Sequence, residues 1–282
     1  MPRRRFGPLP IEIPTVGQGT WQMAESGDAA DEIAALRAGI ARGLTHIDTA
    51  EMYGSGSAEE LVARAIEGIP RGDLFLVSKV LPQNATRAGT VRACEQSLRR
   101  LGTDYLDVYL LHWRGHIPLV ETLAAMEQLV EQGKIRALGV SNFDVDDLEE
   151  ARRLLRRVPI ACNQVLYHLQ ERHIESELLT YCRGHDIAIV GYSPFGHGRF
   201  PRPSSPAGRV LATVAARHDA TPRQVALAFL TREPAVFTIP KASTSAHAEE
   251  NAGALDLALT PGDIADIDAA FPAHTADELP AL

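Results

Sequence analysis

A chain of 282 residues, 45% hydrophobic and 23% charged, is long for one ordinary domain and close to the roughly 250 residues typical of an eight-fold α/β barrel. Its formal net charge of -8 argues against a nucleic-acid or anionic-membrane partner. Nowhere do about 18 apolar residues run together, and "MPRRRFGPLPIEIP" holds no apolar segment of signal-peptide length, so a cytoplasmic protein is expected.

In chain order, "RRRFGPLPIEI" reads as a β-hairpin that could plug the bottom of a barrel. Eight β-rich runs follow: "IPTVGQGTW", "GLTHIDTA", "LFLVSKV", "LDVYLLHW", "IRALGVSN", "IACNQVLY", "IAIVGYSP" and "AVFTIPKA". Between them, apolar residues at three- and four-residue spacing predict helices that include 30–42, 57–69, 90–101, 120–132, 145–156 and 222–231. Ser57 with Glu60 reads as a capping box for the second, and Gly133 as a stop for the fourth. Strands alternating with helices pair in parallel, and eight such units close into a (β/α)8 TIM barrel. A single domain over residues 1–282 and a monomer are expected. The runner-up, an open doubly wound sheet, lacks its fingerprint, since "GQGTWQ" supplies only Gly17 and Gly19 of a G-x-G-x-x-G. Residues 196–208, "GHGRFPRPSSPAG", read as a mobile loop that could close over a ligand. Cys94, Cys162 and Cys182 are far apart and lack metal-ligand spacing, so they read as reduced structural thiols.

Each predicted strand stays apolar until its C-terminal end, where a polar group appears: Gly19, Thr20 and Trp21; Asp48; Lys79; His112; Ser141 and Asn142; Asn163 and Gln164; Tyr192 and Ser193; Lys241. In a barrel these ends share one face, the face that carries active sites. Taken singly, Lys79 reads as a surface lysine, His112 as a hydrogen-bonded core histidine, Tyr53 as a packing lid, and Asp48 as a partner for the next turn. Taken together, four ionisable groups on one barrel mouth cost desolvation unless they pair. An ordinary tyrosine, with a pKa of about 10, is a slow proton donor near neutrality. A lysine beside its oxygen favours the phenolate, a carboxylate holds that lysine, and a histidine can bond a carbonyl oxygen. These residue types suit protonating a carbonyl while a cofactor adds hydride to its carbon. A metal-dependent hydrolase would want H-x-H on an early strand, where "LTHID" offers only His46, expected to lie in the core; no metal is expected.

With "VGQGTW", "HIDTAEMYG", "VSKV", "DYLDVYLLHW", "GKIRALGVSN", "CNQVLYH", "GYSPFG" and "IPKASTSAHAEEN" in this order, the chain resembles the aldo-keto reductases along nearly its whole length. The likeness is greatest to short bacterial members acting on methylglyoxal and other small aldehydes. The resemblance implies a barrel that binds NADPH across its mouth, with Tyr53 as general acid, Lys79 lowering its pKa, Asp48 orienting the lysine and His112 positioning the carbonyl. It further implies that Ser141, Asn142 and Gln164 hold the nicotinamide carboxamide and that Tyr192 stacks on the ring. Gly19, Thr20 and Trp21 would lie along the cofactor and substrate, with Ser193, Pro194 and Phe195 near the pyrophosphate. Lys241, Ala242, Ser243, Thr244 and His247 would surround the adenosine 2'-phosphate, with Glu250 and Asn251 at the adenine.

The chain departs from many members at His247, where an arginine usually forks onto that phosphate, and at Ala242, often a serine. Histidine lacks the bidentate, permanently charged contact of a guanidinium, so NADPH is expected with secondary use of NADH. Trp21 and Trp113, with the short "LLHWRGHIP" and the tail after Phe271, suggest an open pocket for small, activated carbonyl compounds. The alternative within the same family is a nicotinamide-binding sensor subunit with little turnover.

Overall fold

The computed structural model describes residues 3–25, 27–274 and 279–281. Strands β1 (Arg3–Arg5) and β2 (Glu12–Pro14) pair antiparallel as the expected hairpin. Its turn carries Phe6, fully buried with its ring centroid 4.9 Å from Phe75 and 5.0 Å from Phe237. Phe75 opens its strand, so the hairpin closes the N-terminal end of the barrel.

Eight strands then follow in parallel and in chain order: β3 (Gln18–Gly19), β4 (His46–Asp48), β5 (Phe75–Val80), β6 (Leu106–Leu111), β7 (Ile135–Ser141), β8 (Ile160–Leu166), β9 (Ala188–Tyr192) and β10 (Val236–Thr238). Closure is made by backbone bonds: Gly17 N–H donates to Thr238 O at 2.7 Å, Thr238 N–H to Thr15 O at 2.9 Å, and Gly19 N–H to Pro240 O at 3.1 Å. The chain is a (β/α)8 barrel with no open seam. The first strand has a shorter regular ladder than the residues 13–21 expected, because its two glycines serve close approach. A Cβ at Gly19 would fall 2.6 Å from Ile239 O, and one at Gly17 would fall 2.7 Å from His46 O. The "GQG" motif is therefore a seam of the barrel.

Ten helices surround the sheet among the described residues: α1 (Ala29–Ala41), α2 (Ser57–Ile66), α3 (Arg87–Leu101), α4 (Leu119–Glu131), α5 (Val145–Leu154), α6 (Leu178–Gly184), α7 (Pro206–Arg217), α8 (Pro222–Leu230), α9 (Ser245–Gly253) and α10 (Pro261–Ala270). None is long and apolar enough to cross a membrane. The capping box expected at Ser57 is absent. Gly56, at φ +98°, is the N-cap, and the Ser57 hydroxyl donates back to Gly54 O at 2.9 Å. Helix α3 starts three residues earlier than the apolar spacing suggests because Thr86 caps it, accepting from Gly89 N–H. Gly133, at φ +68°, does follow the end of α4. The expected loop 196–208 loses its last residues to α7, where Ser205 is the N-cap and Pro206 opens the helix. In the C-terminal tail, residues 275–278 and 282 lie outside the described residues.

Side chains alternate along each strand, and the two sets build separate layers. Ile47, Leu76, Tyr109, Leu111, Leu138, Val140, Val165 and Ile189 face the helices in the main core. Phe75, Val77, Val108, Leu110, Ala137, Cys162, Ala188, Val190 and Phe237 fill the barrel interior with Phe6 and Ile13. Extending the inward parity by one step toward the C-terminal mouth gives Lys79 after Phe75 and Val77, and His112 after Val108 and Leu110. It also gives Gln164 after Cys162, Tyr192 after Ala188 and Val190, and Lys241 after Phe237 and Ile239. The same periodicity that packs the barrel thus aims its polar groups into one space.

Candidate active site

That space is a cavity of about 310 Å³ lined by residues from seven of the eight barrel strand ends: Gly19, Thr20, Trp21, Asp48, Tyr53, His112, Trp113, Ser141, Asn142, Gln164, Tyr192, Ser193, Pro194, Phe195 and Lys241. The volume is in the range of small-molecule sites. Lys79 lies beneath the lining, with no exposed surface.

Asp48 ends β4, and the chain then turns so that Tyr53 opens a short 3-10 segment (Tyr53–Gly56). Backbone here is left-handed at Gly54, Ser55 and Gly56. At Gly56 a side chain would also strike Arg100, whose Nε donates to buried Glu59 at 2.5 Å. Glu59 accepts in turn from Ser78, the neighbour of Lys79, at 2.6 Å. Glu51 ties the same turn to the loop after β5, accepting from Leu81 N–H at 2.7 Å and from Asn84 at 3.0 Å. The tyrosine is thus fixed by bonds on both sides.

The Lys79 ammonium donates to Asp48 Oδ1 at 2.5 Å, to the backbone oxygen of Thr49 at 2.9 Å and to Tyr53 Oη at 3.2 Å. Burial alone would discharge this lysine, yet the facing Asp48 and Tyr53 oxygens raise its pKa above the ordinary value. Burial pushes Asp48 upward, opposed by its bonds from Lys79 and Gln164. Burial likewise raises Tyr53, and the pull of Lys79 only partly offsets it. Lys79 acts on the tyrosine in the expected, lowering direction, but burial outweighs it, and with the cavity walls alone around it Tyr53 holds its proton through neutral pH. Such a group is a proton reservoir whose conjugate base, once formed, faces a cation.

His112 presents its ring edge-on to Tyr53, with centroids 5.7 Å apart. Burial, then Lys79, lowers its pKa to about 3, so it is neutral at ordinary pH and carries one N–H. Its Nδ1 has no protein partner among the described residues. A neutral imidazole beside a phenol suits a carbonyl oxygen, which accepts from both.

Ser141, Asn142 and Gln164 form a hydrogen-bonding floor at the ends of β7 and β8. Ser141 Oγ donates to Gln164 O at 2.9 Å, and Gln164 Nε2 donates to Asp48 Oδ2 at 2.8 Å. Asn142, held at φ +59°, accepts from Tyr192 Oη at 3.0 Å. Amide-bonding side chains, the flat Tyr192 ring and the Lys241 cation around one cavity fit a nicotinamide nucleotide in shape and chemistry. Beyond Lys241, Ala242, Ser243, Thr244 and His247 lie at the entry to α9, and Glu250 and Asn251 in its second half, all outside the cavity lining. Thr244 caps that helix, accepting from His247 N–H at 3.3 Å, and the N-terminus of a nine-residue helix next to Lys241 suits a phosphate.

Three lining residues escape the sequence reading, Gln22, Met52 and Ile239, while His197 and Gly198 enter it only as part of the loop 196–208. Inward parity from Phe237 would have found Ile239, and the Gly-His-Gly motif marks the loop that brings His197. Met52 and Gln22 carry no signal beyond adjacency to Tyr53 and Trp21. His46 is the core histidine expected, fully buried, its ring edge-on to Phe75, and its pKa lowered to about 3 by burial and by Lys79. The three cysteines are buried and free.

The pattern of the Aldo/keto reductase family matches residues 15–271. The chain is 47% identical to the methylglyoxal reductase YeaE of Escherichia coli (strain K12), over 93% of each protein. It is 37% identical to the glyoxal reductase of Bacillus subtilis (strain 168), over 92% of this chain and 89% of that one. An aldo/keto reductase from Klebsiella pneumoniae, solved in complex with NADP and acetate, superimposes with a TM-score of 0.90 at 46% identity, over 99% of both chains. The hairpin, the closed parallel barrel and the Asp48, Tyr53, Lys79 and His112 cluster at its mouth are thus those of a chain that belongs to the aldo/keto reductase family.

Proposed function

We propose that the protein is an NADPH-dependent reductase of small aldehydes, 2-oxoaldehydes of the methylglyoxal kind and some ketones, with Tyr53 as general acid. The observation that carries this reading is the fully buried Lys79, whose ammonium is shared between Asp48 and the Tyr53 oxygen. A buried cation next to a phenol has little value for packing and much for a phenolate that forms during turnover.

The reduced nicotinamide supplies a hydride to the carbonyl carbon. On the protein side, His112 donates its N–H to the carbonyl oxygen and holds the carbon in reach. The Tyr53 O–H bond breaks as the proton passes to that oxygen, giving the alcohol. The phenolate left behind faces the Lys79 ammonium and regains a proton from solvent. Ser141, Asn142 and Gln164 would hold the carboxamide, and Tyr192 would cover the ring. Gly19, Thr20, Ser193, Pro194 and Phe195 would flank the chain of the cofactor. Lys241, Ser243, Thr244 and His247 would meet the 2'-phosphate, with Ala242 contributing only backbone, and Glu250 and Asn251 would meet the adenine. With His247 in place of a fork of donors, NADH serves as a secondary cofactor. Trp21, Trp113 and Met52 wall the substrate end. The names of the two relatives and the NADP bound to the Klebsiella protein support the substrate class and cofactor. A single-domain, monomeric, cytoplasmic protein completes the reading.

The test is loss of NADPH absorbance with purified protein and methylglyoxal, repeated with NADH. Turnover that favours NADPH is expected. Binding of NADPH with no turnover on methylglyoxal or other reactive aldehydes would overturn the reductase reading.

A further inference from the structure

The loop after β9 does not hang free over the cavity. Phe195 and Phe200 meet edge to face at 5.6 Å, and the Arg223 guanidinium lies over both rings, at 5.6 and 5.5 Å. Between these anchors the backbone is left-handed at three consecutive residues, Gly196 (φ +70°), His197 (φ +48°) and Gly198 (φ +83°). Gly196 N–H donates to Ser193 O at 2.8 Å, and Arg199 N–H to Gly196 O at 3.0 Å. Two glycines adopt this path without strain, but the histidine between them does not, and strain of that kind is retained where a side chain is needed in one place.

That place is the face of Trp21. The two rings stack with centroids 4.9 Å apart and planes 24° from parallel, and both line the cavity. Trp21 also packs against Tyr53, Ala50 and Ala58. The order across the substrate end is thus Tyr53, Trp21, His197. Gln22, at φ +63°, lines the same end. Neither the His197 imidazole nor the Gln22 amide makes a hydrogen bond to another described residue. The same cavity also has apolar lining, from Met52 beside Tyr53 and from Trp113, whose ring lies 4.9 Å from that of His112.

We propose that His197, held on Trp21, is a specificity-determining residue. Its ring N–H, assisted by the Gln22 amide, bonds an oxygen that the substrate carries at the end remote from the reacting carbonyl. This rests on the reductase reading above and adds a substrate class to it: carbonyl compounds with a distal hydroxyl or carboxylate, preferred over alkyl compounds of the same shape. An imidazole in either tautomer offers one N–H, and a site built to bond an oxygen rejects the analogue that lacks it.

Three aldehydes of nearly equal size test this: para-(hydroxymethyl)benzaldehyde, para-carboxybenzaldehyde and para-ethylbenzaldehyde. Their kcat/KM values with NADPH are compared for wild type, His197→Phe and His197→Ala; His197→Phe keeps the stack on Trp21 and loses the donor. Taking ratios to the ethyl compound within each protein cancels intrinsic reactivity. The expected result is that both His197 variants lower the ratio for at least one oxygenated aldehyde about tenfold, through KM and not kcat, the size of one hydrogen bond. The hydroxymethyl and carboxylate arms tell which oxygen is taken. Ratios unchanged in His197→Phe, or a loss that falls equally on all three aldehydes, would overturn the subsite while leaving the reductase reading intact. Wild type that binds NADPH and reduces none of the three, nor methylglyoxal, overturns the reductase reading and the subsite with it.

Discussion

The side-chain amide of Gln164 donates to Asp48 Oδ2 at 2.8 Å, while the other oxygen of that carboxylate holds Lys79. A residue on the floor of the cavity therefore helps set the orientation of the group that holds the lysine under Tyr53. Gln164→Leu leaves one side of a buried carboxylate without a donor. A hydrogen bond to a charged group contributes about 1.5–3 kcal/mol, so the variant should lose stability of that order in denaturant unfolding. It should also lose kcat beyond any rise in the KM for NADPH. A change confined to NADPH affinity, with stability and saturated rate preserved, would separate Gln164 from Asp48.

Lys79→Met strips the cation from the buried Asp48 carboxylate. Breaking a buried pair by removing one partner costs about 3–5 kcal/mol, and the variant should show it as a lowered denaturation midpoint. Its rate should fall by about 10²–10⁴, the usual reach of assisted proton transfer. Near-normal turnover would mean that the phenolate needs no cation.

Two histidines, His46 and His112, are held neutral with pKa values near 3. In the unfolded chain a histidine titrates at about 6.5, so between these values the unfolded state binds more protons than the folded one. Stability contributed by their neutrality is complete above about pH 6.5 and is lost as pH falls toward 3, by about 1.4 kcal/mol per pH unit for each histidine. Chemical denaturation at pH 7 and pH 5 should show the loss, and His46→Leu should show a smaller one. Equal losses in the variant and wild type would place His46 outside this effect.

The difference between NADPH and NADH is expected to rest on Lys241 and the start of α9. His247→Arg, which supplies the fork of donors that a histidine lacks, should tighten NADPH binding and leave NADH affinity level. Titration by fluorescence decides it, and an unchanged NADPH affinity in His247→Arg would remove position 247 from the phosphate.

The barrel and its mouth were legible in the sequence because both follow one rule of alternation. The inward residues Phe75, Val77 and Lys79 are read off a strand, and once strands alternate with helices their ends share a face. Tyr53 was legible too, through the motif around it. What could not be read was distance: that Gln164 would reach Asp48, and that burial would outweigh Lys79 at the Tyr53 hydroxyl. The first depends on how closely β4 and β8 approach across the barrel, the second on how deeply the turn after β4 packs against Lys79 of β5. The start of α7 was missed because a Ser-Pro step reads equally as loop and as a capped helix, and the Phe195 and Phe200 anchors that settle the loop pack against a helix more than twenty residues away. The capping box at Ser57 failed because Gly56, at φ +98°, already turns the chain into α2.

The central claim is that Tyr53 gives the proton, and Tyr53→Phe tests it most directly, since the substitution removes only a hydroxyl. NADPH binding, read by fluorescence, and single-turnover reduction of methylglyoxal, read by loss of reduced-nicotinamide absorbance, should be measured on the same preparation. The expected result is NADPH affinity within a few-fold of wild type and a reduction rate lower by orders of magnitude. A variant that reduces methylglyoxal at close to the wild-type rate would show that the proton comes from elsewhere.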